Sequence, residues 1–170
     1  TREPIDPVRY ISNHSSGKMG YAIATALREA GAIVTLVSGP TILPPPAGVT
    51  LVNVETARDM HEAVMARLPT DIFVATAAVA DYRIDNAASN KIKRSDSALE
   101  LKLVPNPDIL KCVAASAAPP FTVGFAAETN DVEAHARAKL AKKGCDWIVA
   151  NDVSGDVMGG DENQVLVIKK

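Results

Sequence analysis

The sequence predicts an α/β fold, a three-layer, doubly wound domain around a mostly parallel sheet. Two observations lead there. Apolar runs of strand length recur along the chain, several near-continuous instead of alternating, as in strands covered on both faces. Helical patterns fall between them, so consecutive strands are joined by right-handed βαβ crossovers. The bulk composition agrees. Of 170 residues, 47% are hydrophobic and 22% charged, enough for one aliphatic core with no disulfide or metal staple. We therefore expect a single Rossmann-like domain over 1–170, with one polar flap at 83–98.

The elements follow in order. A helix is expected over 17–30, where Met19, Ile23 and Leu27 recur every four residues and Gly31 stops it. Apolar runs at 32–37 and 49–54 predict two strands. Thr56 and Asp59 stand in capping-box spacing before Met60, Val64 and Leu68, which predicts a helix over 56–68. The run at 72–79 reads as a central strand. Residues 83–98 are polar with no period, which is how a functional loop reads, and 99–104 alternates like an exposed strand. Asn106 and Pro107 suit the cap and first turn of a helix carrying Ile109, Leu110 and Val113. A strand at 121–126, an Ala-rich helix at 131–143 stopped by Gly144, and strands at 147–150 and 165–168 complete the pattern.

Composition also excludes some functions. The net charge is −2 with a pI near 5.9, which argues against broad nucleic-acid or membrane-surface binding. Aromatics are 4%, too few for a base-stacking platform. No apolar run approaches the roughly 20 residues that span a bilayer, and no signal peptide is visible. Cys112 and Cys145 have no ligand spacing and read as free thiols of a reducing, cytoplasmic compartment. The chain opens on Thr1 and not Met, so we expect an excised domain whose native flanks are missing.

Four constellations could carry chemistry. Arg9 to Gly20 (RYISNHSSGKMG) is a hydroxyl- and amide-rich loop running into a helix, which suits an anion or a plain N-cap. It is neither a Walker P-loop nor GxGxxG. Ala77, Ala78 and Asp81 end the central strand, where doubly wound sheets bind ligands; alanines admit a ligand close to the backbone, and Asp81 can bond a hydroxyl or hold a cation. Lys91, Lys93 and Arg94 lie in the polar flap, either as a closing cationic clamp or as a solvated charge run. Lys139 and Lys143, four apart, share one helix face. His14, His61 and His135 form no ligand set by spacing, and no metal ligands emerge.

Taken together, TREPIDPVRYISNHSSGKMG, AAVADYR, NKIKR, NPDIL and GFAAET, with Lys139, Lys143 and the Ala150–Asp152 piece, resemble the phosphopantothenate–cysteine ligase family over essentially the whole chain. In bacteria that family is typically the C-terminal half of a bifunctional coenzyme A biosynthesis protein whose other half is a flavin-dependent decarboxylase. The resemblance is to the bacterial, CTP-using branch. It implies that the carboxylate of 4′-phosphopantothenate attacks the α-phosphate of CTP, and that cysteine then displaces CMP from the acyl cytidylate. It implies Mg²⁺ with the CTP and a homodimer with a shared site. It assigns catalysis to Asn13 and Lys91, and substrate contact to Arg9 (reaching from the neighbouring subunit), Asn13, Ala77, Ala78 and Asp81. It assigns the nucleotide to Asp81, Lys91, Pro107, Asp108, Ile109, Leu110, Phe125, Lys139 and Lys143.

The physics is compatible: carboxylate and triphosphate repel, so the reaction needs cations and oriented amides. Two other classes remain open on the residues alone. An NAD(P)-binding oxidoreductase would share the sheet, although GxGxxG and a Tyr-x-x-x-Lys pair are absent. A non-catalytic nucleotide-sensing module would keep the pocket but have no use for a cationic flap.

Overall fold

The computed structural model describes residues 1–128, 130–152 and 164–170, without the side chains of Glu128 and Asp152. Thr129, the last residue of the GFAAET motif, lies outside them. The elements in order are β1 (Arg2–Pro4), β2 (Tyr10–Ser12), α1 (Lys18–Glu29), β3 (Thr35–Ser38), β4 (Thr50–Asn53), α2 (Ala57–Met65) and β5 (Ile72–Ala75). They continue with β6 (Tyr82–Ile84), β7 (Leu103–Pro105), α3 (Ile109–Ala114), β8 (Phe121–Glu128), α4 (Val132–Lys143), β9 (Trp147–Asp152) and β10 (Val165–Lys169). Among the described residues, no helix is long and apolar enough to cross a membrane.

The chain forms two compact units. The first comprises Thr1–His14, Tyr21–Val64 and Ala77–Pro107; the second comprises Ser15–Gly20, Met65–Thr76 and Asp108–Lys170.

In the first unit β3 and β4 pair in parallel, with Leu36 opposite Leu51 and Val37 opposite Val52. The α1 residue Tyr21 is buried and donates its hydroxyl to Ser38 Oγ at 3.1 Å. The expected capping box forms. The Thr56 amide donates to Asp59 Oδ2 at 2.9 Å, and the Asp59 amide donates to Thr56 Oγ1 at 3.1 Å. Those bonds to Thr56 hold the Asp59 carboxyl below its usual range, against burial. The buried Glu3 of β1 accepts the Ala57 amide at 2.9 Å. Two short antiparallel pairs complete the unit, β1 with β2 (Glu3 opposite Ile11) and β6 with β7 (Arg83 opposite Val104).

In the second unit four strands run in the order β10-β9-β8-β5. β5, β8 and β9 are parallel, and β10 is antiparallel to β9. Leu110 of α3 and Ala136 of α4 meet Ala126, Cys145, Ile148, Ala150 and Ile168 in one core, with Phe73 and Leu140 packed against it. Gly144 ends α4 in the left-handed region at φ 68°, where its amide reaches Leu140 O. Gly124 of β8 is the tightest point. A Cβ there would lie 2.6 Å from Leu110 Cδ2 and 2.7 Å from Ile148 Cδ1.

The predicted mostly parallel α/β architecture is what the chain adopts. Several details differ. The strand expected over 72–79 stops at Ala75, because the residues beyond it bond to other segments (below). The strand expected over 99–104 is confined to Leu103–Pro105, and Arg83 and Ile84, placed in the flap, belong to β6. The helix expected to be capped by Asn106 is capped by Asp108, which accepts the Lys111 amide at 3.2 Å. The β1–β2 hairpin was not expected at all.

Candidate functional site

In the first unit, the segment after β5 is fixed by its backbone. Asn13 donates from Nδ2 to Val79 O at 3.2 Å. The Thr1 backbone nitrogen donates to Ala78 O at 3.3 Å, and the Ala80 amide donates to Thr1 Oγ1 at 3.0 Å. Asn106 closes the other side. Its side-chain amide donates to Ala80 O at 2.9 Å, and its backbone N–H donates to Asp81 O at 2.8 Å. These bonds explain why Asn106 is not a helix cap: its amide is committed to residues about a quarter-century of positions earlier in the chain, at a separation of 26. They also bring Asn13, Ala78 and Asp81 into one neighbourhood, with Asn13 and Asp81 exposed.

The same unit holds a carboxylate that sequence reasoning missed. Asp6 is buried, and its two oxygens accept from the amides of Val8 (2.9 Å), Arg9 (2.9 Å) and Ile92 (3.1 Å) and from Arg9 Nε (3.0 Å) and Nη2. The Arg9 guanidinium, and then those amides, hold the Asp6 carboxyl well below the usual carboxylate range against its burial. Arg9 is therefore engaged within its own chain, and its Nη2 also donates to Ile92 O at 2.8 Å. The Ile5-Asp6-Pro7-Val8 run, an Asp–Pro turn signal, was the clue available in the sequence. Lys91 is exposed beside Ile92.

In the second unit, the first turn of α1 approaches the end of β5 so closely that a Cβ on Gly20 would lie 2.7 Å from Thr76 Oγ1. Ser16 Oγ accepts the Lys18 amide at 3.4 Å, so this corner is capped from within. Asp108 and Lys143 form an ion pair at 2.5 Å, both half-buried. Burial pushes the Asp108 carboxyl up, but Lys143 and the Lys111 amide outweigh it and hold the group below its usual range. Lys139 is half-buried one turn before Lys143. Ile109 and Leu110 are buried, so their side chains serve the core and they can offer a ligand only backbone. Phe125 in β8 is half-buried, as is Pro107 at the end of the first unit.

A concavity at the start of α4, lined by Asp131, Val132, Glu133, Ala134 and Arg137, contains none of the expected site residues. Glu133 and Arg137, one turn apart on α4, pair at 2.7 Å. No group of three His, Cys, Asp or Glu side chains among the described residues is placed to hold a metal ion.

Comparison with known proteins agrees with the motifs. The family model of the DNA/pantothenate metabolism flavoprotein C-terminal domain matches residues 1–170. A coenzyme A biosynthesis bifunctional protein CoaBC of Vibrio parahaemolyticus is 57% identical over 167 residues, covering 96% of this chain and 42% of that protein. The chain thus spans less than half the length of the curated relatives it matches. Among solved structures, the C-terminal domain of a CoaBC protein superposes with a TM-score of 0.83 at 44% identity, covering 100% of this chain and 77% of that one. A Cab2 mutant in complex with phosphopantothenate-cysteine superposes with a TM-score of 0.81 at 16% identity, covering 99% and 73%, a likeness of fold alone. The chain belongs to the DNA/pantothenate metabolism flavoprotein C-terminal domain family.

Proposed function

We propose that this chain is a phosphopantothenate–cysteine ligase of coenzyme A biosynthesis, driven by CTP through an acyl-cytidylate intermediate. The observation that carries the reading furthest is the bond from Asn13 to Val79. It joins the two motifs, RYISNHSSGKMG and AAVADYR, to which the family resemblance assigns substrate contacts. Family membership over the full chain supports the same reaction class.

In this reading Asn13 orients the pantothenate carboxylate toward the α-phosphorus of CTP, and an amide is suited to the task because it bonds an anion without repelling it. The carboxylate oxygen bonds to phosphorus as pyrophosphate departs. The cysteine amine then attacks the acyl carbon and CMP leaves. Lys91, Lys139 and Lys143 supply positive charge to the phosphates. Asp108 positions Lys143 through their ion pair, and Ala77, Ala78 and Asp81 wall the substrate. Mg²⁺ enters as part of the nucleotide substrate; no group of three metal-ligating side chains is present among the described residues. A homodimer, Arg9 serving a partner's site, fusion to a flavin-dependent decarboxylase and a cytoplasmic setting belong to the same proposal.

The test is incubation of the chain with 4′-phosphopantothenate, cysteine and either CTP or ATP. CMP and pyrophosphate are expected with CTP, dependent on both other substrates. Formation of AMP in preference to CMP would move the chain to the other nucleotide branch, and no turnover with either would remove the ligase reading. Asn13→Asp places a negative charge against the carboxylate and is expected to lower CMP formation by about a hundredfold or more; unchanged product would remove Asn13 from the mechanism.

A further inference from the structure

We propose that Asp6 is a positioning residue: it latches the flap to the β1–β2 turn and thereby presents Lys91. The inference rests on the proposed ligase reading for Lys91's role, while the latch itself stands on geometry alone.

A carboxylate removed from water is tolerated only when its lone pairs are filled. Asp6 meets that condition with donors from two distant parts of the first unit. The Val8 and Arg9 amides belong to its own turn. The Ile92 amide lies 86 residues away, in the flap. Ile92 is gripped at both ends of its peptide, since its carbonyl accepts from Arg9 Nη2 while Arg9 is itself held by Asp6. A further bond runs from the Ala88 amide to Ile5 O at 2.9 Å. Residues on either side of Lys91 are thus tied to one short turn, and Lys91 projects from the tie.

The turn does not require this arrangement. An Asp–Pro turn is closed by one side-chain oxygen, and here Oδ1 does that while Oδ2 receives the guanidinium and the flap. The second oxygen is the part of Asp6 that acts at a distance. Fixing the loop in advance removes the entropy that Lys91 would otherwise lose on meeting a phosphate.

Two arms test the proposal. In the first, the wild-type chain and Asp6→Asn are exposed to dilute trypsin, and cuts after Lys93 and Arg94 are timed by mass spectrometry. Asparagine keeps the Oδ1 acceptor but replaces Oδ2 with a donor, so cleavage is expected to accelerate about fivefold or more. Ile92→Pro removes the flap's N–H donor, while also fixing φ there and replacing the isoleucine side chain, and is expected to do the same, which keeps the test alive should Asp6→Asn not fold. Unchanged cleavage in the folded variants would overturn the latch. In the second arm CMP formation is measured for Asp6→Asn, Lys91→Gln and the double variant. A positioning role predicts a kcat loss of about tenfold for Asp6→Asn with KM for CTP within about twofold, and no additional loss when Lys91→Gln is already present. With all variants made on an Arg9→Ala background, so that release of Arg9 does not enter, losses that multiply would overturn the coupling to Lys91. Absence of turnover in the wild-type chain would defeat the ligase reading instead, and the proteolysis arm would then decide the latch by itself.

Discussion

Replacing Gly124 by alanine adds a single methyl group at the point where α3, β8 and β9 meet. That methyl would stand 2.6 Å from Leu110 Cδ2 and 2.7 Å from Ile148 Cδ1, with Cys145 Sγ at 3.8 Å. Comfortable carbon–carbon separations are about 3.5–4.0 Å, so two overlaps of about 1 Å must be relieved at once. They press on the ends of two side chains from different elements, one 8% exposed and the other fully buried. Neither end can swing into solvent, and the dense interior offers little slack. Overpacking of this kind costs about 1–3 kcal/mol. For a domain of this size each kcal/mol lowers Tm by about 2–4 °C, so a fall of about 4–8 °C is expected near the middle of that range. Urea denaturation is the matching assay, with a lowered midpoint and an unchanged m-value. Leu110→Val removes the Cδ2 atom that collides first and should return part of the loss in the double variant. A Gly124→Ala midpoint equal to wild type would refute the packing argument.

Two further predictions follow from an ion pair and a hydrogen-bonded carboxylate. Lys143→Ala should cost well under about 1 kcal/mol of stability, because the pair is partly exposed, yet lower kcat/KM for CTP by about tenfold if that lysine meets the phosphates; a loss of stability without a loss of CTP turnover would confine it to the fold. Asp146 accepts both the amide and the hydroxyl of the buried Thr122, each at 2.8 Å, and the amide first, then the hydroxyl, holds its carboxyl below the usual range. A carboxylate with a depressed folded-state pKa stabilises above its ordinary value of 3.8 and loses that contribution as pH falls through the folded value. The stability gap between wild type and Asp146→Asn should therefore be full at pH 7 and shrink below about pH 4; urea midpoints showing a gap that widens on acidification would contradict this.

Local patterns in the sequence reveal those elements whose partners are close along the chain. Met19, Ile23 and Leu27 lie within α1, the Thr56–Asp59 box closes within one turn, and Gly144 stops α4 next door. What stayed hidden depends on distant partners. Asn106 reads as a cap until Ala80, 26 residues away, takes its amide, and the cap then passes to Asp108. The strand from Ile72 reads as eight residues until Thr1 and Asn13 claim the carbonyls of Ala78 and Val79 that would have extended it. β1 and β2 are three residues each, too short for any period to show. The candidate site divides in the same way. Its motifs were visible as residue types, whereas the tie between Asp6 and the flap was not, since nothing near Asp6 announces Ile92.

The placement of the two thiols has a practical consequence for labelling the chain. Cys145 is fully enclosed, and burial pushes its thiol up, away from the nucleophilic thiolate. Cys112 on α3 is half-buried. A disulfide reagent added to the native chain should therefore find at most one site, Cys112, and that one more slowly than a free thiol in solution. Cys112 is thus the thiol of the two that a dye can reach, with no need to delete the enclosed Cys145.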